Sequence, residues 1–281
     1  MNIPTLRLHN GVEIPAIGFG TYRTPKGKDA EESVRHAIQS GYRCIDCAAI
    51  YRNEASVGLG IHGAGVPREE LFITSKLWND EKGYDSTLAA FDKTLRDLQL
   101  EYLDLYLIHW PIAAASKQRW QQANLETWRA FEALYRQGKI RAIGVSNFLP
   151  HHLEPLMKEA EIKPMVNQIE LHPGMLQQEA VDYCAKHNIV VEAWAPFANG
   201  QILKHPLLVE LAEAHRKTTA QICLRWLIQK NSIPLPKSVT PARIEENLQV
   251  FDFALSLEEL AAIDKLPACG ESGLHPDHID F

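Results

Sequence analysis

The chain has 281 residues, 46% hydrophobic and 23% charged, a balance that suits a globular protein with a large core and excludes a low-complexity or disordered chain. A formal net charge of −6 and a pI near 6.1 argue against nucleic acid or an anionic membrane as a bulk partner, while leaving room for a local basic pocket. No segment approaches the roughly 20 apolar residues of a membrane span, and Met1-Asn2-Ile3-Pro4 opens no signal peptide.

Taken in order, Leu6 to Ala16 alternates around Asn10-Gly11, a strong hairpin signal that predicts a small lid or plug ahead of the main fold. A rhythm of apolar run, loop and amphipathic helix then repeats about eight times. The strand candidates are 17–21, 43–46, 71–76, 103–109, 140–146, 165–170, 189–194 and 232–236. Helical patterns fill 29–40, 85–99, 125–137, 150–160, 177–187 and 218–230. Gly41 and Gly138 stand where a helix end takes a left-handed residue, and Ser256 with Glu259 forms a capping box for one more helix. No Gly-, Ser- or Pro-rich linker divides the chain. Alternation of this kind implies a parallel sheet covered by helices. Eight units favour a closed (β/α)8 TIM barrel with an N-terminal β-hairpin and a short C-terminal tail, one α/β domain spanning 1–281.

Two motifs mislead. Gly58-Leu59-Gly60-Ile61-His62-Gly63 spells a dinucleotide fingerprint, but that mechanism needs a strand before it and a helix opening at its glycines. Here Asn53 to Val57 already reads as the first turns of a helix. Cys44 and Cys47 have redox or zinc-site spacing, yet alternate strand residues point apart and no second pair stands near. The five cysteines, including Cys184, Cys223 and Cys269, are too few and scattered for a disulfide framework, so a reducing cytoplasm is expected. No metal site is expected.

The strand ends carry the chemistry. Phe72, Thr74 and Lys76 share one strand face; Leu105, Leu107 and His109 share another. If those faces line the barrel, Lys76 and His109 top neighbouring strands at the C-terminal rim, where barrel enzymes keep their active sites. Asp46 ends the preceding strand and Tyr51 lies in its loop. Each has a structural alternative: a snorkelling lysine, a packed tyrosine, a histidine or aspartate meeting a core hydrogen bond. Together they permit a Lys that lowers the Tyr pKa, an Asp that keeps the Lys charged, a Tyr that acts as general acid, and a neutral His that orients a carbonyl. A lysine here could instead form a Schiff base, as in an aldolase.

The residues resemble a known family. Asp46, Tyr51 and Glu54, the block Thr74 to Trp78, and Leu107 to Pro111 match signature segments of the aldo-keto reductases. Gly144 to Phe148, Asn167 to Pro173 and Pro236 to Asn247 follow in order. The likeness runs from about Gly18 to the C-terminus, with Pro276 to Phe281 most similar to bacterial 2,5-diketo-gluconate reductases.

The resemblance implies a barrel that binds NADPH without a dinucleotide fold, reduces small aldehydes or ketones, and works as a monomer. It makes Asp46, Tyr51, Lys76 and His109 a catalytic tetrad with Tyr51 as proton donor. Thr21, Ser146, Asn147, Gln168 and Trp194 would hold the nicotinamide and ribose, and Ala195, Pro196 and Phe197 would run beside the pyrophosphate. Lys237, Ser238 and Arg243, with Val239 and Thr240, would grip the 2′-phosphate, and Glu246 and Asn247 the adenine. Tyr22, Trp78 and Trp110, with His109, would line the substrate pocket. The basic start of a helix is also a physically sound phosphate site; a helix start tethered to Glu245 or Glu246 is the alternative.

The sequence departs from the family pattern in places. Cys47 stands where Thr is usual, Trp194 where many members carry Tyr, and Phe197-Ala198-Asn199 differs from the common loop. Glu192 should point into the barrel, where burial demands a partner or a raised pKa. A cofactor-binding sensor that barely turns over remains the non-catalytic alternative.

Overall fold

The computed structural model describes residues 3–281. Strands β1 (Thr5–Arg7) and β2 (Glu13–Pro15) form the antiparallel hairpin expected around Asn10-Gly11. Its Leu8 and Ile14 are buried, and Asn10 Nδ2 donates to the Arg141 carbonyl at 3.0 Å, near the start of a barrel strand. The hairpin is therefore a plug on the N-terminal mouth, not a lid over the other end.

Eight parallel strands follow: β3 (Phe19–Gly20), β4 (Cys44–Asp46), β5 (Phe72–Leu77), β6 (Leu103–Ile108), β7 (Ile140–Ser146), β8 (Val166–Glu170), β9 (Val190–Trp194) and β10 (Ser232–Pro234). They pair in chain order. Gly18 N–H to Pro234 O and Gly20 N–H to Pro236 O, both 3.0 Å, join the last strand to the first. That seam makes the sheet a barrel. Each strand falls inside or within a residue of its predicted span.

The helices are α1 (Lys28–Ser40), α2 (Glu54–Gly63), α3 (Tyr84–Leu98), α4 (Trp120–Arg136), α5 (Pro150–Glu159), α6 (Gln178–Lys186), α7 (Pro206–His215), α8 (Thr219–Gln229), α9 (Pro241–Leu248) and α10 (Leu257–Asp264). The Ser256 capping box opens α10 as expected, with Ser256 Oγ accepting from Glu259 N–H at 3.2 Å. The sequence reading missed α7, whose apolar residues form only a weak stripe, and started α4 five residues late. None of the helices is long and apolar enough to cross a membrane.

Gly58, Gly60 and Gly63 lie inside α2, so the fingerprint is indeed a decoy. Packing explains two of them. A Cβ on Gly58 would fall 2.5 Å from the Leu98 carbonyl oxygen, and one on Gly60 would fall 2.6 Å from that of Glu31. Only glycine lets α2 lie this close to its two neighbours. Replacing Gly58 with alanine should therefore cost about 1–3 kcal/mol through overpacking. An unchanged urea midpoint for Gly58→Ala would contradict this account.

Candidate active site

The site is built on the tip of β4. Asp46 is its last residue, and the Asp46 carbonyl accepts hydrogen bonds from Thr21 N–H at 3.0 Å and Thr21 Oγ1 at 2.9 Å. The chain then makes a short helical turn over Ala49–Tyr51, ended by Arg52 in a left-handed conformation. This turn brings Tyr51 back over the barrel mouth. Lys76 rises from β5 with 0% exposure. Its Nζ donates to Asp46 Oδ1 at 2.6 Å and Oδ2 at 2.7 Å, to the Cys47 carbonyl at 2.9 Å, and to Tyr51 Oη at 3.4 Å. A buried ammonium is tolerable only when its charge is matched and its hydrogens are placed. Here both conditions hold.

These contacts set the protonation states. Burial pulls the Lys76 ammonium down, but Asp46 and Tyr51 together outweigh it and hold the group above its ordinary value. Tyr51 corrects the sequence expectation of a lowered pKa. Burial raises it more than Lys76 lowers it, and the phenol is pushed up to about 12. It therefore stays protonated at neutral pH, which is the state an acid must start from. His109 is held well below its usual range by burial and by Lys76, so the ring is neutral. It stands edge-on to Tyr51 at 5.8 Å and to Trp78 at 5.3 Å, and its Nδ1 has no partner among the described residues.

Cys47, the unusual neighbour of Asp46, donates from Sγ to the Thr74 carbonyl at 3.1 Å, the service a threonine hydroxyl could render there. Burial pushes the thiol well up, so it is inert. Cys44 is likewise buried, and the cysteines are all free thiols. Glu192, on β9, has both features expected of it. Gln168 Nε2 donates to Glu192 Oε2 at 2.7 Å and to Asp46 Oδ2 at 2.9 Å, and Glu192 is raised to about 8, by burial first and then by Asp46.

The residues assigned to the nicotinamide end form one hydrogen-bonded ladder beside this cluster. Ser146 Oγ donates to the Gln168 carbonyl at 2.8 Å. Asn147 Nδ2 donates to the His109 carbonyl at 2.9 Å and to Ser146 Oγ at 3.1 Å. Trp194 Nε1 donates to Asn147 Oδ1 at 2.8 Å. With its amide hydrogens committed to Asp46 and Glu192, Gln168 has Oε1 as the end available to a ligand. Thr21 is fully buried, its hydroxyl bound to Asp46. After Trp194 the loop turns sharply through Ala195, Ala198 and Asn199, all with positive φ, while Pro196 is buried and Phe197 half-buried.

The segment Lys237–Asn247 leads from β10 into α9 across the seam. Ser238 Oγ accepts from Thr240 N–H at 3.0 Å, shaping the turn, and Val239 and Arg243 are exposed. The alternative tether is not what the structure has. Glu245 pairs with His36 at 2.9 Å, and Glu246 accepts from Thr218 Oγ1 at 2.9 Å. Among the described residues neither Lys237 nor Arg243 forms a salt bridge, although Asp29 lies near enough to Lys237 to raise its pKa against the larger lowering by burial. Asn247 is buried. Glu246 is thus partly committed within the protein, which weighs against it as an adenine contact.

Tyr22, Trp78 and Trp110 do gather at the mouth: Tyr22 lies 5.0 Å from Tyr51 between ring centroids. The sequence reading missed a fourth wall, Phe281. Its ring stacks on Trp78 at 5.5 Å and meets Trp110 at 5.7 Å, and its carbonyl accepts from Asn79 Nδ2 at 3.2 Å. The tail reaches this place through two further anchors. Ser272 Oγ donates to Glu170 Oε2 at 2.6 Å, and Asp277 meets His151 and His152 at 2.9 and 2.8 Å. The only signal in the sequence was a terminal aromatic behind a polar, His-rich run.

A barrel with this charged cluster at its C-terminal mouth defines an enzyme of the (β/α)8 class. The Aldo/keto reductase family profile matches residues 16–268. A glyoxal reductase of Bacillus subtilis (strain 168) is 53% identical over 277 residues, covering 99% of this chain and 98% of that protein. The aldo-keto reductase MGS-M4 from a Medee basin deep-sea metagenome superposes with a TM-score of 0.93 at 44% identity, covering 98% of this chain and all, 100%, of that one. An aldo-keto reductase of Bombyx mori, solved in complex with NADP, gives 0.87 at 37% identity, covering 100% of this chain and 95% of that one. The chain belongs to the aldo/keto reductase family and is an oxidoreductase.

Removing the ammonium should expose what it balances. Lys76→Met would leave Asp46 buried without its cation, at a cost of about 3–5 kcal/mol. Chemical denaturation at neutral pH measures this; a variant as stable as wild type would mean the pair contributes nothing to folding.

Proposed function

We propose that this protein is an NADPH-dependent reductase of small aldehydes and ketones, foremost 2-oxoaldehydes such as glyoxal and methylglyoxal, acting as a monomer in a reducing cytoplasm. The observation that carries this reading is the single buried ammonium of Lys76, shared between Asp46 and the Tyr51 hydroxyl, beside a neutral His109.

The residues present fit the cofactor. At one end, Lys237 just before α9 and Arg243 in its first turn form no salt bridge among the described residues, which suits a 2′-phosphate met by two cations and free backbone amides. At the other, the ladder of Ser146, Asn147 and Gln168 offers fixed polar groups, and Trp194 is locked by Asn147 so that its half-buried ring can stack on a flat ring system. NADPH, when bound there, supplies the hydride.

The chain's own residues supply the rest. Tyr51 delivers a proton to the carbonyl oxygen as negative charge develops on it, and the Lys76 ammonium stabilises the tyrosinate that remains. Asp46 keeps that ammonium in place. His109, being uncharged, orients the carbonyl without competing with Tyr51 as an acid. Tyr22, Trp78, Trp110 and Phe281 narrow the mouth, which favours compact substrates over bulky ones. The similarity to a glyoxal reductase points the same way; keto-sugars such as 2,5-diketo-gluconate are the competing class. An aldolase reading requires a neutral lysine nucleophile, and the Asp46 pairing that keeps Lys76 charged weighs against it.

Three measurements test the proposal. NADPH oxidation across 2-oxoaldehydes, simple aldehydes and keto-sugars should give the highest kcat/KM with a 2-oxoaldehyde; no turnover with any would leave the sensor reading. Tyr51→Phe should lower kcat at least about 100-fold while NADPH quenching of tryptophan fluorescence persists. Arg243→Ala should weaken NADPH about tenfold or more and NADH much less; equal losses would remove Arg243 from the phosphate site.

A further inference from the structure

Glu192 sits on β9 with 0% exposure, inside the barrel and below the catalytic rim. Its Oε2 accepts from Gln168 Nε2 at 2.7 Å, and its Oε1 has no partner among the described residues. The same amide nitrogen donates to Asp46 Oδ2 at 2.9 Å. Two carboxyl groups thus share one amide, and a single cation, Lys76, stands near them. Lys76 is committed to both oxygens of Asp46.

Among the described residues the other strands bring nothing to balance a second charge, and β8 adds only Glu170, a further carboxylate that accepts from Ser272 Oγ at 2.6 Å. From β4, Cys44 and Asp46 face Glu192: the Asp46 charge disfavours another anion there, and Cys44, its thiol pushed well up by burial, brings no charge of its own. From β5 comes Lys76 alone. The β10 residue opposite is Ile233, and β3 is Phe19–Gly20. On β6 and β7 the charged residues are Asp104 and Arg141, which pair with each other at 2.6 Å, and Asp104 also takes Arg68 at 2.7 Å. One ammonium cannot neutralise two buried carboxylates that lie this close, so one of them carries a proton. Asp46 holds the ammonium directly. The proton falls to Glu192.

We propose that Glu192 is a proton-bearing positioning residue for the Asp46–Lys76–Tyr51 group: neutral, it shares Gln168 with Asp46, and on ionising it slows proton donation by Tyr51. This rests on the reading of Tyr51 as proton donor. The sign follows from charge. Below its titration, the cluster of Glu192, Asp46 and Lys76 is balanced. Above it, the cluster gains one negative charge in a poorly screened interior. That charge disfavours the tyrosinate left behind when Tyr51 gives up its proton, so reduction slows as pH rises through about 8. Glu192 also holds Gln168 through the hydrogen bond that its Oε2 accepts from Nε2.

Glu192→Gln keeps the shape and the acceptor for Gln168 but cannot ionise. In wild type, kcat for carbonyl reduction should fall about threefold or more between about pH 6.5 and about pH 9.5, and in Glu192→Gln this step should be absent. Superimposable profiles would overturn the proposal. A readout without turnover accompanies it: infrared spectra of the NADPH-bound protein near neutral pH. Wild type should show the carbonyl stretch of a buried carboxylic acid that bleaches as pH rises through about 8, and the wild-type minus Glu192→Gln difference should assign it. No bleaching band in wild type overturns the proposal even if the variant does not fold. If no carbonyl is reduced at any pH but the band titrates, the functional reading has failed while Glu192 still carries its proton; a titrating band with unchanged kinetics sinks the positioning role alone.

Discussion

The Asp46–Lys76 ion pair is the constraint on which the site depends. Both groups are removed from water inside the barrel, and each would be intolerable there alone. The pair solves the burial problem for two strands at once, because Asp46 ends β4 and Lys76 rises from the neighbouring β5. It also leaves one ammonium hydrogen directed at the Cys47 carbonyl and another edge of the charge toward Tyr51. A charge stored for structural reasons and a charge available to chemistry are here the same atom.

The surrounding groups respond to that pair. His109 is kept neutral by burial and by the ammonium beside it. Tyr51 lies under two opposed influences, and enclosure wins over the cation. Gln168 donates to the same Asp46 oxygen that Lys76 holds and carries the arrangement on to Ser146, Asn147 and Trp194 by hydrogen bonds alone. The whole rim is therefore preorganised before any ligand arrives, which is the condition under which fixed dipoles and charges act most strongly. The C-terminal tail adds the one wall not carried by the barrel, held by Ser272 and Asp277 and ending in Phe281.

Much of the architecture was legible because it is local or periodic. Strand runs, glycine stops and the Ser256 capping box each follow from a few adjacent residues. The decoy glycines of α2 were recognisable because the helix around them starts too early. What was illegible depended on distant partners. Helix α7 has too weak an apolar stripe to announce itself. The Tyr51 shift required weighing burial against a neighbouring charge, and burial is invisible in a sequence. The freedom of Lys237 and Arg243 rests on His36 and Thr218 having taken the nearby glutamates, over separations of 209 and 28 residues.

The end of β4, Asp46 with Tyr51 five residues on, shows where the division lies. The sequence alone determined the (β/α)8 plan, the identity of the four rim residues and their family, because alternation in a strand decides which side chains share a face. Tertiary structure alone decided how those residues are charged, which of the two barrel carboxyls carries the proton, and that Phe281 packs on Trp78 and Trp110 at the mouth. The physical reason is that protonation and enclosure depend on the dielectric and the partners at a point in space, and those are assembled from strands and a tail far apart in the chain.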